Sequence, residues 1–159
     1  MLFRSGQIED VFTRAQCAFI GKSSPTHFFW GGFDLAVTRF SGRPAPPREG
    51  PAFMRDAYSH EVISHGFWPG SAPVLEPAFY AYAVPEPPGL KEVKVRPAAG
   101  FYHRELNEFI LPYEAVRTAS SPEATIRAFV ESTYEQAADL ARWDRAALER
   151  VTVPGDYAE

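Results

Sequence analysis

Eleven of the fifteen prolines fall between Pro44 and Pro97, and this distribution constrains the fold more than any other feature of the sequence. A proline inside a helix removes a backbone hydrogen bond and clashes with the preceding turn, so the middle of the chain reads as short strands and turns rather than helix. Helices belong at the two ends. Ile8, Val11, Phe12, Ala15, Phe19 and Ile20 recur at helical spacing after a cap at Ser5, and Gly21 stops the run, so residues 6–20 read as an amphipathic helix with one buried face. At the other end, Ser121-Pro122-Glu123 supplies a cap, a proline at the first helical position and an acid in the first turn. Ile126, Phe129, Val130, Thr133, Tyr134, Ala137, Leu140 and Ala141 line one face of the helix that follows. A short helix over residues 143–150 and a frayed tail after residue 151 are expected beyond it.

The period switches to two where Phe33, Leu35 and Val37 alternate with Asp34, Ala36 and Thr38, and Gly31-Gly32 is a favourable two-residue turn between residues 27–30 and 33–40. A β-hairpin is predicted there. Residues 43–51 read as an exposed loop. Further strands are expected over residues 60–67, 79–84, 93–96 and 109–113, with a turn at residues 106–108. The order helix, strands, helix predicts an α+β domain with a mainly antiparallel sheet, flanked by an N-terminal helix and a long C-terminal one. With 159 residues, 45% of them hydrophobic, the chain has material for one good core and reads as a single domain.

Charge and composition narrow the function classes. A formal charge of −4 with scattered basic residues gives no general attraction to nucleic acid or to an anionic membrane. The longest good apolar run, residues 78–84, falls far short of the ~20 residues of a membrane helix. The lone Cys17 excludes an internal disulfide and a cysteine-based metal cluster, and fits a reducing compartment. Residues 1–5 lack the pattern of a signal peptide, so a cytoplasmic location is expected. The chain opens almost directly on a helix, which reads as the start of a fragment and leaves open whether the first residues are native.

Two segments, residues 27–40 and 60–70, set titratable side chains among large aromatics, where a pKa can be shifted and a ligand held. In a hairpin turning on Gly31-Gly32, Trp30 pairs with Phe33, Phe29 with Asp34, Phe28 with Leu35 and His27 with Ala36. Phe28, Trp30, Phe33, Leu35 and Val37 then share a face that reads as core, while His27, Phe29, Asp34, Ala36 and Thr38 share the other. His27 lies diagonal to Asp34, at roughly 7–8 Å, near enough for a direct or water-bridged approach. Functionally, Asp34 orients the imidazole; structurally, the two are a satisfied polar pair. Arg39 continues the apolar face and needs a partner there, either in a salt bridge or as a hook for an anionic ligand.

His60-Glu61-Val62-Ile63-Ser64-His65 superficially resembles a metalloprotease zinc motif, which requires histidines four apart on one helical face. Here they are five apart, pointing about 140° away from each other in a helix and to opposite faces in a strand. The zinc reading is rejected. Glu61 and His65 share a strand face but stand about 13 Å apart, so each needs a partner from elsewhere, such as Arg39, His103 or Glu105. A metal site drawn from His27, His60, His65, His103 and Glu61 would need separate strands to converge, and four scattered histidines read instead as surface or core residues; no metal is expected. Trp68-Pro69-Gly70 and Phe79-Tyr80-Ala81-Tyr82 read as core and turn that would also suit the walls of a pocket. No phosphate loop, nucleophile elbow or dinucleotide fingerprint is present, so no cofactor is identified.

Taken together, His27-Phe28-Phe29-Trp30-Gly31, residues 33–43, His60-Glu61-Val62, Gly66-Phe67-Trp68-Pro69-Gly70 and Leu111-Pro112-Tyr113-Glu114 resemble a bacterial family known as domain of unknown function 5996. The resemblance spans nearly the whole chain. It implies a longer protein with an additional N-terminal β-rich half, of which this chain would be the C-terminal half, and it brings no substrate, cofactor or catalytic residue. The leading expectation is a small-molecule pocket near the hairpin and residues 60–68, with Trp30, Arg39, His60, Trp68, Tyr80 and Tyr82 as its ligand-binding residues. An alternative uses the same pocket for hydrolytic or metal-dependent chemistry, with His27, Asp34, Glu61 and His65 as the candidate catalytic groups. A third makes the chain a structural half packed on a missing N-terminal half, its aromatics forming that interface.

Overall fold

The computed structural model describes residues 5–47 and 49–150, and the expected frayed tail lies outside them. Helix α1 (Ser5–Cys17) buries Ile8, Val11 and Phe12, as the spacing predicts, but ends before residues 18–20. There the Ile20 amide donates to the Leu148 carbonyl at 2.8 Å and Phe19 forms a bridge with Glu149, so pairing with the C-terminal segment replaces the last helical turn.

Strands β1 (His27–Phe29) and β2 (Asp34–Pro44) pair antiparallel in the predicted register, with His27 opposite Ala36, Phe28 opposite Leu35 and Phe29 opposite Asp34. Two expectations fail here: Trp30 and Phe33 do not pair across a two-residue turn but lie with Gly31-Gly32 in a four-residue turn, Phe33 at φ of 57°, and the aromatic face is not buried. Phe28, Trp30 and Phe33 are not core: they are 42%, 78% and 58% exposed and pack edge-to-face on one another, at 5.1–5.9 Å between ring centres. β1 is a three-residue edge strand, and the contacts made by α1 and α4 (Pro122–Leu140) fall on β2, β3 (His60–Trp68) and β4 (Ala78–Val84), leaving the hairpin tip bare.

The region of dense proline holds one unexpected helix, α2 (Ala52–Ala57), beginning directly after Pro51 where a proline does no harm. β2 also runs into the expected loop as far as Pro44. Its register shifts between Phe40 and Pro44, where Gly42 takes a left-handed backbone with φ of 83°. Residues 93–96 do not form a strand. The Arg96 amide donates to Ser132 Oγ at 2.9 Å, which pins this segment to α4, and β5 (Phe101–His103) takes the sheet edge instead. β6 (Glu108–Pro112) follows, and the chain turns into α3 (Tyr113–Arg117) one residue earlier than expected. In α4, Ser121 Oγ accepts the Ala124 amide and Pro122 occupies the first turn, both as read from the sequence. α5 (Arg145–Leu148) is the last described helix.

The six strands form one sheet in the order β1-β2-β3-β4-β6-β5, every pair antiparallel, so the fold is α+β. One sheet face packs against α1 and α4, where Phe12, Val37, Ile63, Phe79, Phe109, Leu111, Ile126, Phe129 and Val130 form the main core. Among the described residues no helix is long and apolar enough to cross a membrane. Phe129 is fully enclosed, so Phe129→Ala should cost about 3–5 kcal/mol, whereas Ser121→Ala should cost about 1 kcal/mol through loss of the cap. Urea unfolding should show both as lower midpoints at unchanged slope.

Candidate functional site

Alternation along the strands sorts the remaining polar and aromatic groups onto the other sheet face. Asp34 and Thr38 of β2, Ser64, Gly66 and Trp68 of β3, Tyr80 and Tyr82 of β4, and Glu108 and Ile110 of β6 all lie there. Ala36, Ala78, Tyr80 and Ile110 form a small second core on this face, edged by Trp68, Val74, Tyr82 and Leu106. Tyr80 stands opposite Gly66, and a Cβ at Gly66 would lie 2.3 Å from the tyrosine ring. The missing side chain lets Tyr80 reach across β3 and donate its hydroxyl to Asp34 Oδ2 at 2.5 Å. Burial and the neighbouring carboxylate raise the Tyr80 pKa far above that of an ordinary phenol.

Trp68, Tyr80 and Tyr82 form an aromatic row, with 5.6 Å between the first pair of ring centres and 6.1 Å between the stacked tyrosines. Tyr82 leads to the far end of the sheet, where its hydroxyl meets that of Tyr58 at 3.2 Å. A cavity of about 490 Å³ opens at this end, lined by Ala45-Pro46-Pro47, Tyr58, Tyr82, residues 83–86 and Leu106-Asn107-Glu108. Glu108, one step along the ladder from the Ala81–Phe109 pair, is its distinctive group. Burial, reinforced by the negative charge of Asp34, pushes its carboxyl up to about 7, and its Oε2 is buried without a hydrogen-bond partner. Glu86, the other carboxylate of the wall, is already engaged by the Tyr102 hydroxyl and by Lys91 Nζ at 3.4 Å.

The cavity thus lies at the opposite end of β2 from the hairpin but next to the start of β3, so it adjoins the second of the two segments where a pocket was expected, residues 60–68, and not the first. Of the expected pocket residues, Tyr82 lines it, and Tyr80 and Trp68 continue its aromatic wall along the sheet. Trp30 is at the exposed hairpin tip, and His60 is exposed with Nδ1 3.2 Å from Ser59 Oγ. His27 is diagonal to Asp34 on the predicted face, but its ring packs against Phe29 while Asp34 accepts from Tyr80. Glu61 binds Arg43 at 2.7 Å, and Arg43 also donates to the Ala141 and Arg142 carbonyls at the end of α4, so this acid serves to tie strand to helix. His103 accepts the Leu106 amide at Nδ1, and Glu105 is exposed in the turn between β5 and β6. Among the described residues no three His, Cys, Asp or Glu side chains are grouped to hold a metal ion.

His65 and Arg39 point the other way, into the helix-covered core. Arg39 is 4% exposed; its guanidinium donates to the Ala15 carbonyl at 2.9 Å and lies over the Tyr134 ring at 4.4 Å, so a carbonyl and an aromatic face replace the expected carboxylate or anion. Burial brings its pKa down to about 10. His65 Nε2 is 3.0 Å from Thr133 Oγ1, which itself donates to the Phe129 carbonyl at 2.7 Å; the hydroxyl must therefore accept, and Nε2 carries the ring proton. Burial and the nearby positive charge of Arg39 hold His65 well below its usual pKa, so it is a neutral core histidine without access to the cavity.

Tyr58 and Glu108 are the residues that sequence reasoning missed. Glu108 carried one usable signal, its period-two spacing from Ile110, which reading residues 106–108 as a turn obscured. Tyr58 carried none, because the turn after α2 brings it to Tyr82 from 24 residues away.

The two perturbed groups act oppositely on stability. An unfolded His65 takes up a proton below about pH 6.5 that the buried one refuses, so its contribution falls by as much as about 1.4 kcal/mol per pH unit below that point. Glu108 instead keeps its proton up to about pH 7 in the fold, so its contribution is complete below the unfolded value of 4.5 and is lost as pH rises through 7. Urea midpoints between pH 4.5 and 7 should fall with rising pH in His65→Leu, rise with pH in Glu108→Gln, and show a smaller slope than either in the unaltered chain. Gly66→Ala should displace the Tyr80 ring and cost about 1–3 kcal/mol, with loss of the Asp34 hydrogen bond visible in the Tyr80 side-chain resonances.

Comparison with known proteins places the chain in a family. The model of the Family of unknown function (DUF5996) matches residues 4–150. No curated protein and no solved structure matches the chain. The family match covers nearly the whole length, from α1 through α5, and the chain therefore belongs to the Family of unknown function (DUF5996).

Proposed function

We propose that this domain binds a small molecule in the cavity at the end of β4 and β6. The observation that carries the reading is Glu108: a half-buried carboxyl with an unpartnered oxygen, in the wall of a concavity whose volume falls in the range of small-molecule sites. A buried polar atom left without a partner is costly, and a ligand that supplies the missing hydrogen bond is favoured over an empty wall. Pro46, Pro47 and Pro85 provide a stiff apolar surface that loses little freedom on binding, and the paired hydroxyls of Tyr58 and Tyr82 orient a polar end. The exposed, unpaired Cys17 fits a reducing interior, and we place the protein in the cytoplasm on that ground.

Acid–base catalysis is a second reading, favoured by the Glu108 carboxyl lying close to neutral pH, where proton transfer is most effective. It would draw on Glu108 rather than on His27, Glu61 or His65.

Ligand-observed NMR against a panel of small aromatic and aliphatic amines, alcohols and carboxylates should yield binders that shift the backbone signals of Tyr82, Asn107 and Glu108. Ala45→Trp should fill the cavity and abolish those shifts while leaving the fold intact. Binders whose shifts survive Ala45→Trp would overturn the reading. Turnover of a retained compound, with a pH profile centred near 7 that Glu108→Gln removes, would select the catalytic version.

A further inference from the structure

We propose that the ligand of this cavity is a small organic cation, a primary or secondary amine with a short apolar body, held by Glu108; the inference rests on the cavity being a binding site. Among the described residues that line it none is basic, whereas two carry carboxylates, two carry phenols and Asn107 carries an amide. The two acids are not equivalent. Glu86 already accepts from Tyr102 and pairs with Lys91, and Lys91 also reaches Asn107 Oδ1 at 3.4 Å, so that corner of the wall is neutralised from outside.

Glu108 has no such counter-ion among the described residues. Tyr82, one residue beyond the last β4–β6 pair, lines the cavity with Glu108, whose cross-strand partner on β5 is His103, and Asp34 on β2 adds negative charge from across the sheet face. His103 uses Nδ1 to accept the Leu106 amide and forms no ion pair with Glu108. The group most lacking at this point is a hydrogen-bond donor bearing positive charge, because such a group pairs with the Glu108 carboxylate, whose Oε2 is otherwise buried without a partner, and offsets the field of Asp34. An anionic ligand would meet two carboxylates, which attract a cation instead. The proline walls then cover the apolar body, which selects an amine with a hydrocarbon part over a bare inorganic ion.

The test titrates the whole chain with phenethylamine, with 2-phenylethanol as the neutral isostere and with 3-phenylpropionate as the anion, following the Tyr82, Asn107 and Glu108 amides by NMR at pH 8. The amine should bind at least about tenfold more tightly than the alcohol, and the carboxylate should produce no saturable shift. Lowering the pH to 6 should weaken the amine about tenfold and leave the alcohol unchanged, since the bound form needs an ionised Glu108. Glu108→Gln should bring amine and alcohol within about twofold of each other; the comparison on the unaltered chain stands alone if that variant does not fold. Equal binding of amine and alcohol, or tighter binding of the carboxylate, would overturn the choice of a cation and leave the cavity as a site. Silence from all three probes at these amides would overturn the cavity reading itself.

Discussion

The architecture depends on the apolar stripe of α4 lying across β3 and β4. Ile126, Phe129, Val130 and Ala137 of the helix share one core with Ile63 of β3, Phe79, Ala81 and Ala83 of β4, and Phe109 and Leu111 of β6. The non-directional gain from burying these side chains decides which sheet face becomes interior. Everything on the strands then sorts by parity: odd positions of β2 and β3 go under the helices, even positions go to the opposite face. Arg43, bound to Glu61 and to the last carbonyls of α4, fixes the far end of that packing where the helix dipole is negative.

This sorting carries polar groups into the core along with apolar ones. Arg39 and His65 occupy odd positions, so they are buried whatever their chemistry, and the surroundings are arranged to accommodate them. His65 stays neutral and donates to Thr133, while Arg39 finds the Ala15 carbonyl and the Tyr134 face. Arg39 Nε and His65 Nδ1 nevertheless remain without partners. Leaving such groups unpaired is unfavourable, so their presence is a poor source of stability; what they provide is a demand for one register, because a one-residue slip would exchange the two faces.

The opposite face is where binding chemistry can assemble, because the long helices do not cover it. Gly66 opens a path for Tyr80 to reach Asp34, the aromatic row leads on to Tyr82 and Tyr58, and Glu108 closes the wall. The site draws on segments separated by tens of residues, namely residues 45–47, Tyr58, residues 82–86 and residues 106–108. Its electrostatics follow from that convergence: an acid that is ordinary in sequence becomes a proton-holding group once burial and Asp34 act on it together.

The amino-acid sequence by itself determined what depends on near neighbours. Helical spacing located α1 and α4, the Ser121 cap and Pro122 marked where α4 begins, and alternation around Gly31-Gly32 set the hairpin register from His27 opposite Ala36 to Phe29 opposite Asp34. The class of fold follows from the order of those elements. Tertiary structure alone decided which face of each strand is interior, and so why Phe28, Trp30 and Phe33 stand bare while Arg39 and His65 are enclosed. It also turned residues 93–96 away from the sheet toward Ser132 and brought Tyr58 and Glu108 to one cavity. The physical reason is that local periodicity assigns side chains to faces within one element, whereas burial, the fate of a charge and the shape of a pocket depend on what other elements pack against that face.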